Sequence, residues 1–363
     1  MDTTDKDIQF NEQGICNHCL EYQENEKIRT FSGNEAKKQL ELLVNKIKTK
    51  GRKKEYDCII GVSGGVDSTY TAYKCKELGL RPLAVHFDNG WDSELAVSNI
   101  EKVLNILGIE LYTYVVDWEE FKDLQLSFLK ASTPDCEIPT DHGIYAILMR
   151  IAVKKNIKYI ISGMNFKTES ILPLSWSYGH IDWRYIRNVH KNFGQTKLKT
   201  FPRYNILYLF YVSIIRRIRF ISLLNYIDYD REEAMDILQE KVGWKYYGGK
   251  HYESIYTRFF QSFILPNKFN IDKRKAHLSN LINSGQLKKK EALMQLKTES
   301  YSYELLENDH EYVLKKLSLT EKEFQDIMKS PIKSFLDYKN NYRLTRYLRI
   351  FLLFLRKRGC VSK

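Results

Sequence analysis

The strongest chemical signal in the chain is the string Ser63-Gly64-Gly65-Val66-Asp67-Ser68. It follows the apolar run Cys58-Ile59-Ile60-Gly61-Val62, which reads as a buried strand, and it opens a helical pattern from Val66 to Leu78. Gly64 and Gly65 let the backbone turn tightly and come close to a ligand, because no Cβ stands in the way. The free N–H groups of a helix start, with the positive end of its dipole, then face an anion. Ser63 and Ser68 add hydroxyl donors, and the whole forms a cradle for a pyrophosphate group. Asp67 can hold the Mg²⁺ that accompanies ATP, or cap the helix. The bland alternative is an ordinary strand–helix turn with a serine cap, and the full string after a buried strand speaks against it. The Gly-x4-Gly-Lys-Ser/Thr pattern of kinase-like phosphate loops does not occur, which argues against that class.

The elements around this loop must position it. Further buried strands are predicted at Leu83–Phe87, Leu111–Val116 and Tyr159–Ile161, with helices at 66–78, 95–107, 118–130 and 143–155. Strands alternating with helices imply parallel βαβ units, whose ligands bind at the carboxyl ends of the strands. Asp88-Asn89 follow the second strand and Gly163 to Glu169 the fourth, so the polar motifs fall at the same end as the loop. After about Pro202 the alternation fades, and the chain reads as mainly helical to about Leu317. The predicted organisation is an N-terminal lobe (1–54) with a helix from Asn34 to Lys50, a loop-bearing ATP domain (55–202), a helical substrate or partner region (203–330) and a basic amphipathic tail (331–363).

Ser63 to Ser68 resembles the signature of the PP-loop ATP pyrophosphatases. That resemblance implies an α/β fold: a parallel-sheet, Rossmann-like domain of the adenine nucleotide alpha hydrolase kind, with a small Cys-containing N-terminal lobe and a mainly helical C-terminal region. A narrower resemblance, to the N-acetyl sugar amidotransferases of bacterial surface-polysaccharide and O-antigen synthesis, rests on four segments. These are Gly14-Ile15-Cys16-x-x-Cys19, His86 to Trp91, Gly163-Met164-Asn165 and, above all, Gly243 to Leu278. It implies an ATP-dependent, AMP-forming enzyme that turns an acetamido group of an N-acetylated sugar, nucleotide-linked or a related sugar acid, into an acetamidino group. It also implies a cytoplasmic location, and ammonia supplied by a glutaminase/cyclase partner like that of imidazole-glycerol-phosphate synthase. No Cys stands in a glutaminase-like elbow, so the chain itself should use ammonium and not glutamine.

Under that reading, ATP is held by Ser63, Gly64, Gly65, Asp67, Ser68, Asp88, Asn89 and Gly163. Asp67, Lys250, His251, Glu253 and Arg258 are the expected catalytic residues, because the tetrahedral intermediate must lose a proton and the phosphates need cations. Asp141, His142, Asn165, Glu169, Tyr247, Lys273 and Arg274 are expected to bind the acceptor. Several have simpler roles open to them: His86 as a packed core histidine, Thr140 or Asp141 as a helix cap, and the basic groups as surface ion pairs. Cys16-x-x-Cys19 is half of a zinc knuckle, and structural Zn²⁺ usually takes four protein ligands. The family it resembles carries a further Cys-x-x-Cys before a segment like Met1 to Thr4, so two free thiols are expected here and a metal is the alternative.

The bulk composition fits. With 363 residues and 43% hydrophobic content, the chain can bury one sizeable α/β domain and a smaller one, and 28% charged residues suit a globular protein. A net charge of +12 favours anionic partners. No signal peptide opens the polar start Met1–Asp7, and lone cysteines speak against a disulfide framework. Ile206–Ile215 and Ile350–Leu355 are apolar but shorter than a membrane span; the first reads as a buried element and the second as a docked tail helix. A tRNA-modifying PP-loop enzyme is the alternative, suited by the charge and the 13% aromatic content, although no RNA-binding module is recognisable and no nucleic acid is expected. A silent scaffold that recruits a glutaminase is the third reading, and the intact loop argues against it.

Overall fold

The computed structural model describes residues 1–249, 251–298 and 301–347. In chain order it runs α1 (Asn17–Arg29), α2 (Gly33–Gly51), β1 (Cys58–Gly61), α3 (Val66–Glu77), β2 (Pro82–Asp88), α4 (Glu94–Leu107), β3 (Glu110–Val115), α5 (Trp118–Ala131), α6 (Ile138–Lys154) and β4 (Tyr159–Ser162). It continues with α7 (Phe166–Glu169), α8 (Trp183–Phe193), α9 (Ile206–Phe210), β5 (Arg219–Ser222), α10 (Arg231–Val242), α11 (Ile255–Phe259), α12 (Leu265–Phe269), α13 (Lys273–Asn283), α14 (Lys289–Lys297), α15 (Tyr303–Leu317) and α16 (Glu321–Lys329). Single π-helical stretches follow α9 (Tyr211–Ile215) and α11 (Phe260–Ile264).

Among the described residues the strands form one parallel sheet in the order β3-β2-β1-β4-β5. The chain winds outward from β1 to β3, then returns to lay β4 on the other side of β1. The strand order therefore switches between β1 and β4, where an open α/β sheet leaves a crevice for ligand. Side chains of β1 alternate: Ile59 enters one apolar layer with Phe87, Phe121 and Ile147, while Cys58 and Ile60 enter the other with Ala72, Ile100 and Leu104. Both faces are covered, which is why these strands read as continuous apolar runs. A third cluster joins α3 and α4 to α10 through Val66, Val103, Leu238 and Trp244.

The helix α2 brings Leu43, Val44 and Ile47 into the layer beside Cys58 and Ile60, so the N-terminal lobe packs directly on the sheet. Two expectations need correction. The alternation does not end at Pro202, because β5 pairs with β4 through Arg219↔Tyr159 to Ser222↔Ser162. Ile206–Ile215 is not a buried element: Leu207, Phe210, Ile214 and Ile215 are 77%, 56%, 59% and 62% exposed, and only Val212 turns fully inward. The apolar tail around Ile350–Leu355, together with Cys360, lies outside the described residues. Among the described residues no helix is long and apolar enough to cross a membrane.

Candidate active site

The loop after β1 is built as its residue types require. Gly64 has φ +77, and a Cβ there would meet the Ala96 carbonyl oxygen at 2.6 Å, so only glycine fits this turn. Gly65 is the N-cap of α3. The hydroxyls of Ser63 and Ser68 lie 3.2 Å apart, the Ser63 hydroxyl accepts the Gly65 N–H at 3.4 Å, and the Ser68 hydroxyl accepts the Ser63 N–H at 3.3 Å. Gly163, after β4, closes the other wall: a Cβ there would stand 2.7 Å from the Ser68 nitrogen. The two loops that flank the switch point are thus in direct backbone contact.

The segment after α10 folds back over this cradle. The Trp244 indole N–H donates to the Gly64 carbonyl at 2.9 Å, and Asn99 clamps Lys245 through both its backbone groups. The Tyr247 hydroxyl accepts the Val66 N–H at 3.2 Å. A Cβ added at Gly65 would meet the Glu253 carboxylate at 3.1 Å and the Tyr247 hydroxyl at 3.3 Å. Glu253 also lies 3.6 Å from the His251 ring, whose residue adopts φ +64, and its backbone carbonyl accepts the Ser93 N–H at 2.8 Å. Burial and the Glu253 charge push the Tyr247 pKa up, so it stands there as a neutral phenol. Asp67 accepts a hydrogen bond from the Tyr229 hydroxyl.

A cavity of about 340 Å³ opens beside this segment, lined by Gly248, Gly249, Tyr252, Arg231, Lys273 and His277 among others. Arg258 and Arg274 also line it, but both are engaged. Arg258 makes two 2.6 Å bonds to Asp309, and Arg274 grips Asp272 and the Thr298 carbonyl. For these two the ion-pair alternative describes the geometry. Lys273 stands 3.8 Å from Glu137. Asp141 keeps exposed surface, yet the protein mass around its carboxylate, with the Asp135 and Glu137 charges, pushes its pKa up while Lys273 pulls it back. Glu169 adds to the same rise.

The structure therefore brings together Ser63, Gly64, Gly65, Asp67, Ser68 and Gly163 with Tyr247, His251 and Glu253. It does not bring His142 to them. That ring is fully buried, stacks on Tyr204 at 4.3 Å, donates its Nδ1–H to the His180 carbonyl and takes the Tyr204 N–H on Nε2. Burial lowers its pKa to about 4. Its expected role at the substrate is replaced by a packing role. Asn89 is likewise internal, bonded to Thr140 and to the Trp91 N–H, and Asp88 caps the Gly90 N–H. Asn165 is the buried N-cap of α7, leaving Nδ2 without a partner among the described residues. His86 is a packed histidine between the Val62 carbonyl and Asp92; burial would lower its pKa, but Asp92 and that carbonyl raise it. Lys250 lies outside the described residues. Cys16 and Cys19 place their sulfurs 3.5 Å apart near Asn283, while His18 turns to Asp5 at 2.6 Å. Among the described residues no three His, Cys, Asp or Glu gather to hold a metal.

Two residues were missed in the sequence. Tyr229 holds Asp67, and Arg231 lies close enough to pull down the pKa of both Tyr229 and Tyr247, which places a cation beside the cradle. Neither sits in a recognisable motif; Arg231 reads only as the first residue after the Asp230 cap.

A parallel sheet with a glycine-built turn at its switch point defines an open α/β fold. Residues 253–350 match the family described as LPS biosynthesis protein WbpG-like, C-terminal domain. The chain is 30% identical over 112 residues to the tRNA-specific 2-thiouridylase MnmA 2 of Fusobacterium nucleatum, covering 29% of this chain and 32% of that one. It thus spans about a third of the length of the curated relative it matches. Among solved structures, the NH3-dependent NAD synthetase of Campylobacter jejuni is 15% identical, with a TM-score of 0.32 over 79% of this chain and 98% of that one. The NMN synthetase of Francisella tularensis is 16% identical, with a TM-score of 0.31 over 80% and 98%.

Proposed function

We propose that the protein is an ATP-dependent amidotransferase that converts an acetamido group of an N-acetylated sugar into an acetamidino group, with ammonia delivered by a separate glutaminase. The observation that carries this reading is the position of Glu253, the first residue of the matched WbpG-like segment, against Gly65 of the pyrophosphate cradle. This contact supports reading the WbpG-like segment and the loop suited to ATP as one site.

The chemistry balances on these groups. The acetamido oxygen attacks the α-phosphorus of ATP, the bond to the β-phosphate oxygen breaks, and pyrophosphate leaves into the N–H groups of Gly65 and Val66. The N–H of Gly65 becomes available once it turns from the Ser63 hydroxyl, and that of Val66 once the Tyr247 hydroxyl moves aside. Mg²⁺, when bound, would neutralise phosphate charge, and we assign Asp67, which also accepts the Tyr229 hydroxyl, as the carboxylate that would hold it. Ammonia adds to the imidate carbon, a proton passes to His251 or Glu253, and the C–O bond breaks to release AMP. Arg231 and Lys273 offer positive charge to an anionic sugar nucleotide or sugar acid in the adjoining cavity.

The test is a reaction series with purified chain, Mg-ATP and ammonium, against N-acetylated sugar nucleotides and, separately, bulk tRNA. AMP and pyrophosphate formed with one sugar, whose oxygen is exchanged for NH, is the expected result. AMP formed with tRNA alone would overturn it in favour of the tRNA-modifying alternative, which the thiouridylase similarity keeps in play.

A further inference from the structure

We propose that the surface formed by α9, the π-helical turn after it and β5 docks on an anionic lipid bilayer. Leu207, Phe210 and Ile214 stand at helical spacing and face outward, and Ile215 continues their face. Phe220, on the edge strand β5, is 38% exposed beside them in sequence. Such a contiguous apolar run on a surface marks an interaction site.

The charges around it select the occupant. No acidic residue occurs between Asp182 and Asp228. Arg217 and Arg219 are exposed at the end of the apolar run. Arg216 bonds Asn156 and the Val153 carbonyl, Lys158 bonds the Arg216 carbonyl at 2.8 Å, and Lys54 bonds the Asn156 carbonyl. Arg216, Lys158 and Lys54 thus crowd one corner, and mutual repulsion adds to burial in lowering the pKa of Lys54 and Lys158. Apolar side chains that protrude next to a basic rim are the combination that holds a protein at an anionic membrane interface. A second copy of the chain would bring Arg217 and Arg219 toward their own equivalents. The chain's own apolar tail carries Arg349, Arg356, Lys357 and Arg358, so it too would add like charge.

The experiment is co-sedimentation of the full chain with vesicles of phosphatidylcholine alone or with phosphatidylglycerol added. Binding to the anionic vesicles, weakened by salt, is expected, with at least about tenfold less binding to neutral ones. The pairs Phe210→Ser with Ile214→Ser, and Arg217→Glu with Arg219→Glu, should each cut binding by about tenfold or more. Because these side chains are exposed and away from the cradle, thermal stability should hold in both variants, and so should AMP formation where the wild type shows it. Equal sedimentation with both lipids, or binding that survives both pairs, would overturn the proposal. Loss of binding in a Phe351→Ser, Phe354→Ser variant while the α9 pair still binds would transfer it to the tail. A concentration-dependent dimer abolished by the Phe210, Ile214 pair, with no vesicle binding, would assign the face to self-association.

Discussion

The Tyr247 hydroxyl accepts the backbone N–H of Val66 at 3.2 Å, so a phenol occupies the place that a phosphate oxygen would take in the cradle. A neutral group satisfies a helix-start donor that would otherwise be left without a partner. Tyr247→Phe removes that competitor. The expected outcome is a KM for Mg-ATP equal to or lower than that of the wild type, by up to about tenfold, with kcat retained. A raised KM in steady-state AMP release would instead make the hydroxyl a ligand contact.

Gly163 tests the contact between the two loops. Its absent Cβ would stand 2.7 Å from a backbone nitrogen, which cannot swing away as a side chain could. Gly163→Ala should displace Ser68 and lower AMP formation by about 100-fold, with a stability loss of about 1–3 kcal/mol. Full activity in the alanine variant would remove Gly163 from the cradle.

The Arg258–Asp309 pair ties α11 to α15 with both partners largely buried. Arg258→Met or Asp309→Asn alone should each cost about 3 kcal/mol in urea unfolding, because the remaining partner loses its counter-charge. Arg258→Met with Asp309→Leu should recover much of that loss. If Asp309→Asn leaves stability unchanged and raises the acceptor KM, Arg258 belongs to substrate binding.

His142 sets a pH dependence. Its folded pKa of about 4 lies below the ordinary 6.5 because the buried ring resists charge. Between those values the unfolded chain binds the extra proton, so stability is full above pH 6.5 and falls as pH drops toward 4. The loss approaches about 3 kcal/mol. His142→Phe keeps the stack on Tyr204 and has nothing to titrate. The difference in urea midpoint between pH 7 and pH 5 should therefore be larger in the wild type than in this variant.

The sheet was largely legible because both of its faces are covered, and doubly buried strands such as Cys58–Gly61 advertise themselves as apolar runs. The cradle was legible because its geometry demands glycine and small hydroxyls in one short string. β5 was hidden by its basic, half-solvated edge position, where Arg219 breaks the apolar pattern. α1 was hidden by weak amphipathicity, with only Tyr22 fully buried. Periodicity in Ile206–Ile215 showed an apolar helix face but not which way it turns, since only tertiary packing decides that. His142 failed for the converse reason: a histidine after a proline-led helix start reads alike whether it faces a cleft or a stack of aromatic rings. Tyr229 and Arg231 reach the loop across the third apolar cluster, a juxtaposition that no local spacing records.

Trp244, Tyr247 and Glu253 roof the cradle on one side, and their neighbours Gly248, Gly249 and Tyr252 wall the 340 Å³ cavity on the other. Under the proposed function, any change that the nucleotide makes in the acceptor's affinity through this shared wall is matched by an equal change that the acceptor makes in the nucleotide's. A shared partition of this kind would give the protein a sense of sequence in time: a phosphate that lifts Tyr247 away from Val66 would move a wall of the chamber next door before anything in it reacts.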